Sequence, residues 1–85
     1  WNDEGLKALS ARVVRAAPDD MVAHQVRAMV LSGETTAGEE VPRSAAELKK
    51  AATHFERAAA LCPGPAGKAE LAGDAAWCRS QAEAM

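Results

Sequence analysis

Apolar residues recur at spacings of three and four along most of this chain, and the period lapses once. In segment 3–17, Leu6, Leu9, Val13 and Ala16 form one stripe, the spacing that lines a face of an α-helix. Asp3 and Glu4 stand at its start, and Arg12 and Arg15 near its end, in the order the helix dipole favours. Pro18 terminates it. Asp19 or Asp20 is placed to cap a second helix over 21–31, with Val22, Val26, Met29 and Val30 as its apolar face and Gly33 as its stop. Ser44-Ala-Ala-Glu47 has the form of a capping box and opens a third helix over 45–61. Leu48, Ala51, Ala52, Phe55, Ala58, Ala59 and Cys62 make its inner side. Beyond Pro63-Gly64-Pro65 a fourth helix is predicted over 66–84; Pro65 suits its first turn, while Gly67 and Gly73 weaken it.

The lapse falls in segment 33–43, where two glycines, a proline and Glu34, Glu39 and Glu40 leave no periodic apolar face. It reads as a solvated loop, long for a link between packed helices. An inserted loop is tolerable because closure cost grows slowly with length.

Composition sharpens the fold class. The 85 residues hold abundant alanine, one Phe, two Trp and no Tyr. That mixture favours close-packed helices over a sheet, so the expectation is all-α. Ten basic and twelve acidic residues give a net charge of −2 with no basic stripe, which argues against nucleic acid. No apolar run approaches the roughly 20 residues of a membrane span. No secretory signal is visible and the chain opens with Trp1, so it is read as one domain or a piece of a longer chain. Cys62 and Cys78 sit at a bend and about three turns into the next helix, roughly 20 Å apart. Two reduced, mostly buried thiols in the cytoplasm or another reducing intracellular compartment are therefore expected.

A repeat is visible. Pro18 and Pro63 each end one apolar helix and precede another, 45 residues apart. Setting aside the 11 residues of 33–43 leaves 34. Ala51-x-x-x-Phe55-x-x-Ala58 followed by Pro63 resembles the second helix of a tetratricopeptide repeat (TPR), whose period is 34 residues. The stretch from Asp19 to Leu31 is similar to the repeat's first helix, with Ala28 at the small-residue position and Leu31 three further on. His24 and Arg27 stand where the family has tryptophan and leucine. Gly73 and Ala76 fall at the corresponding places after Pro63. The first helix matches weakly, with Ser10 and Val13 where an aromatic and an alanine are expected. The resemblance implies about four helices, as antiparallel hairpins stacked into a short right-handed solenoid. Residues 1–85 then form one TPR-like domain, or a fragment of a longer array, with 33–43 as an insertion. An unrelated four-helix bundle is the competing architecture.

Catalytic chemistry lacks a constellation. His24 and His54 have no second ligand at i+4, and no C-x-x-C or H-E-x-x-H spacing occurs. His24 is read as a partly buried packing residue and His54 as solvent-facing. Cys78 beside Arg79 has no general base, and the loop glutamates lack the spacing of an EF-hand. No enzyme activity, metal or cofactor is expected. Trp77 is either core filling, the favoured reading, or an exposed anchor for a partner.

The resemblance implies a protein–protein interaction or scaffolding module in which first helices line a groove for a peptide or helix of a partner. On that reading Val22, Gln25, Met29 and Ser32 from the second helix face the ligand, with Glu70, Asp74 and Trp77 from the fourth. Gln25 and Met29 stand where chaperone-binding members clamp a terminal carboxylate, so an apolar partner with basic character is expected instead. The alternative is structural: self-association, or docking within a larger assembly, through apolar stripes left open on the terminal helices.

Overall fold

The computed structural model describes residues 3–33 and 43–85, which fold as α1 (Asp3–Ala16), α2 (Met21–Ser32), α3 (Ala45–Leu61) and α4 (Pro65–Glu83). There is no strand among the described residues. The all-α expectation holds, and every helix boundary falls within a residue or so of its sequence prediction. The inserted segment lies outside the described residues except for Gly33 and Arg43.

Local chemistry fixes the ends. Asp20 is the cap of α2; its Oδ1 accepts from the amides of Val22 at 2.8 Å and Ala23 at 3.3 Å. Gly33 closes α2 at φ 88°, its N–H donating to the carbonyls of Met29 and Val30. A left-handed residue is the usual way to satisfy the last carbonyls, and glycine adopts it without a Cβ clash. At α3 the capping box is complete: Glu47 N donates to Ser44 Oγ, and Ser44 N donates to Glu47 Oε1, both at 3.1 Å. Cys62 is extended, at φ −73° and ψ 126°, as the residue before a proline prefers. Pro65 then occupies the first turn of α4, where its missing N–H costs no hydrogen bond.

Each helix packs chiefly on its sequence neighbours: α1 on α2, α2 on α3, α3 on α4. Arg27, midway along α2, reaches the carbonyl of Lys7 in α1; Asp19, just before α2, pairs with Arg57 near the end of α3. That pair between α2 and α3, with links of only four and three residues at 17–20 and 62–64, makes successive packed helices antiparallel. One apolar cluster joins α2 (Ala28, Leu31), α3 (Ala51, Ala52, Phe55, Ala58, Ala59) and α4 (Leu71, Ala75, Cys78). Phe55 is 1 % exposed and is the largest fully buried side chain among the described residues. Truncating such a ring to alanine costs about 3–5 kcal/mol, a large share of the stability of a domain this size.

Two predicted stripes are rotated. On α1, Leu9 and Val13 are 40 % and 41 % exposed and Ala16 is exposed, while Ser10 is buried and Leu6 half-buried. The cause is polar. Arg27 Nη1, in the α1–α2 seam, donates to Lys7 O at 2.8 Å and to Ser10 Oγ at 3.2 Å, so the face carrying these acceptors turns inward. On α2, Val22 and Val26 are exposed, and Ala23, His24, Ala28, Val30 and Leu31 are buried. Packed between α1 and α3, α2 uses its small residues where backbones approach and leaves two valines outside. Neither cysteine is in a disulfide; Cys78 is buried and Cys62 half-buried.

A glycine within α4 and the one that closes α2 give a paired test. A Cβ on Gly73 would meet nothing within 4 Å, whereas one on Gly33 would lie 2.9 Å from Arg43 Nε, on a backbone at φ +88°. Gly73→Ala is expected to stabilise the fold by about 0.5–1 kcal/mol, and Gly33→Ala to destabilise it by about 1–2 kcal/mol. Urea unfolding midpoints at neutral pH check both; a loss for Gly73→Ala would mean that this face of α4 is packed against something.

Candidate partner-binding surface

The seven residues expected to face a ligand lie on two stripes, and the structure treats them unequally. On α2, Val22 is 56 % exposed and Gln25 half-buried. Met29 packs against the apolar cluster, and Ser32 Oγ donates to the Met29 carbonyl at 3.1 Å. Those last two are occupied with their own helix and core. On α4, Glu70, Asp74 and Trp77 are all exposed, and their spacings of four and three put them on one face. Trp77 is 53 % exposed, which overturns its favoured assignment to the core. Leu71, Ala75, Cys78 and Ala82 take the buried side of α4 instead, an apolar set that repeats at four, three and four. Neither carboxylate makes an ion pair or hydrogen bond, and the indole N–H has no partner, among the described residues. No contact joins the α2 stripe to the α4 stripe by hydrogen bond or ion pair.

The seams carry their own polar fittings. Lys7 Nζ of α1 lies 2.5 Å from Glu47 Oε2 of α3, and Arg43 Nη1 is 3.7 Å from the same oxygen. The hydrogen bond from Lys7, aided by Ser44, holds the Glu47 carboxyl below its ordinary value against the opposing effect of burial. At the α3–α4 rim, Arg79 grips Glu56 with two donors, Nε at 3.1 Å and Nη2 at 2.5 Å. Exposed pairs of this kind add little stability, but they fix register.

The least expected fitting is a histidine pair. His54, predicted to face solvent, is half-buried and stacks on His24 with ring centroids 5.2 Å apart. His24 Nε2 is 2.6 Å from the carbonyl of Pro18, and its Nδ1 is 3.0 Å from His54 Nδ1. A carbonyl only accepts, so in the neutral pair the His24 proton is on Nε2 and His54 donates through Nδ1. Burial first, then His24, Arg27 and Lys50, push the His54 imidazole below its ordinary value. Among the described residues no three His, Cys, Asp or Glu side chains gather to hold a metal ion.

Comparisons with family models, curated proteins and solved structures return no match.

Sequence periodicity missed the exposed aliphatic pairs Leu9/Val13 and Val22/Val26, since an i, i+4 apolar repeat looks the same whether it is covered or open. The histidine contact spans 30 positions and leaves no local signal.

A depressed histidine value has a definite sign. The unfolded chain binds the proton more tightly, so the native state has its full stability above the ordinary value of 6.5 and loses it as pH falls through that point toward the folded value. The urea midpoint is expected to drop between pH 7 and pH 5, and His54→Asn, which keeps a donor but does not titrate, is expected to flatten that drop. An equal slope in wild type and variant would remove the pair from this role.

Proposed function

We propose that this chain is a protein–protein interaction module whose α4 face, centred on Trp77, receives a peptide or helix of a partner. The observation that carries the reading is a half-exposed indole on a well-packed helix, on one stripe with Glu70 and Asp74. Indole offers large apolar area at small entropic cost and is enriched at binding hot spots. Two flanking carboxylates favour a ligand that is apolar with basic residues at its edge. Val22 and Gln25 of α2 are accessible enough to add contacts; Met29 and Ser32 contribute less, being engaged internally.

A TPR-like hairpin stack is the architecture that best accommodates this reading. It is supported by the antiparallel run of neighbours, by Phe55 buried between α2 and α4, and by buried Ala28, Leu31 and Ala51 at the positions the resemblance names. Gly73 departs from it, since it faces open space rather than a neighbouring helix. Two cysteines outside any disulfide suit a reducing cytoplasm, and no described helix is long and apolar enough to cross a membrane.

Selection from a displayed random peptide library tests the proposal. Enriched ligands should combine apolar and basic residues, and Trp77→Ala should weaken them at least tenfold by titration calorimetry while circular dichroism stays unchanged. Ligands indifferent to Trp77, or no enrichment, would sink it. Gln25 and Met29 provide no cationic clamp, so an acidic chaperone C-terminal peptide is expected to show no micromolar binding; calorimetry reads this directly.

A further inference from the structure

The two outermost helices are opposite in charge and alike in being uncovered. On α1, the exposed stripe of Leu9, Val13 and Ala16 is bordered by Arg12 and Arg15, both exposed and without an anionic partner among the described residues. On α4, the stripe of Trp77 is bordered by Glu70 and Asp74, exposed and equally without a cationic partner. The basic side chains of α4 are turned away: Arg79 reaches across to Glu56 of α3, and Lys68, three helical turns earlier, shares that side. α1 also adds no side chain to the apolar cluster shared by α2, α3 and α4. Its aliphatic residues Leu9 and Val13 stay 40 % and 41 % exposed.

Resting on the reading of Trp77 as a ligand-binding face, we propose that the partner helix is α1 of a second copy of this chain. Leu9 and Val13 of one copy lie along Trp77 of the next, and Arg12 and Arg15 meet Glu70 and Asp74. The pairing is head-to-tail. Pairing α1 with α1, or α4 with α4, would set like charges against each other, which excludes a two-fold contact through either face. Each added copy presents the same two faces again, so the product is an open row. One helix laid on another about 20 Å long buries little area, and the attraction between exposed charges is screened by salt. Association is therefore weak, concentration-dependent and lost at high ionic strength.

Sedimentation equilibrium from about 10 µM to about 1 mM, at low and at molar salt, reads the association, with affinities in that span corresponding to weak binding. The weight-average mass should rise with concentration at low salt and fall back toward the monomer at high salt. Two charge-reversed variants decide the geometry: Arg12→Glu with Arg15→Glu, and Glu70→Lys with Asp74→Lys. All four positions are exposed, so folding is retained and is checked by circular dichroism. Each variant alone should stay monomeric, since its two outer faces now carry the same sign; mixing them should restore association, because acidic α1 meets basic α4. A wild-type monomer throughout the range, self-association by either variant alone, or no gain on mixing would overturn the proposal. A persistent monomer that still binds selected peptides through Trp77 would remove only the second copy as partner, whereas failure of both experiments would remove the binding face itself.

Discussion

The close approach of α3 to its neighbours is the constraint on which the rest of the fold depends. Ala51, Ala52, Ala58 and Ala59 let other helices come near, and Phe55 fills the space that their small side chains leave. Alanine alone would supply too little apolar area for a chain of this length, and several large residues would force the helices apart. One ring set among alanines resolves the conflict. It also makes α3 the hub: α2 and α4 share the apolar cluster with it, and α1 reaches it through Lys7 and Glu47.

Much of this was legible in the sequence. Ser44 and Glu47, Asp20, Gly33 and the prolines act locally, through amides two to four residues away, so their spacing announces the ends of helices. The inner face of α3 was legible for another reason: it is covered from two sides, and its apolar stripe is wide enough to leave no choice. α1 and α2 offered a choice. On α1, Leu6 begins both an aliphatic stripe through Leu9 and Val13 and a more polar one through Ser10 and Val14. Which of them turns inward is settled by Arg27, a residue some twenty positions away, and no periodicity contains that information. The same holds for Trp77, whose orientation follows from where Leu71 and Cys78 must go. Among the expected ligand-facing residues, the α4 set is open and half the α2 set is engaged elsewhere.

The polar fittings share a pattern. Lys7 with Glu47, Asp19 with Arg57 and Glu56 with Arg79 each join one helix or turn to α3 near the edge of a seam. Inside the α2–α3 seam sits the histidine pair, held by the Pro18 carbonyl at one end and surrounded by the cations Arg27 and Lys50. A proton added to His54 lands on its Nε2, since Nδ1 already donates to His24, and puts a positive charge beside Arg27 and Lys50. Edge contacts thus set alignment, while the interior pair ties closure of the seam to its protonation.

The exclusion of α1 from the nonpolar centre gives the domain a weak end and a strong end. Three helices share an apolar cluster that ionic strength barely touches; the first adds half-buried Leu6 and Val14 to a guanidinium, a hydroxyl and an ammonium group. Agents that loosen charge–dipole attachments would peel the amino-terminal helix outward while the remaining three stay closed, so the stack frays in one direction.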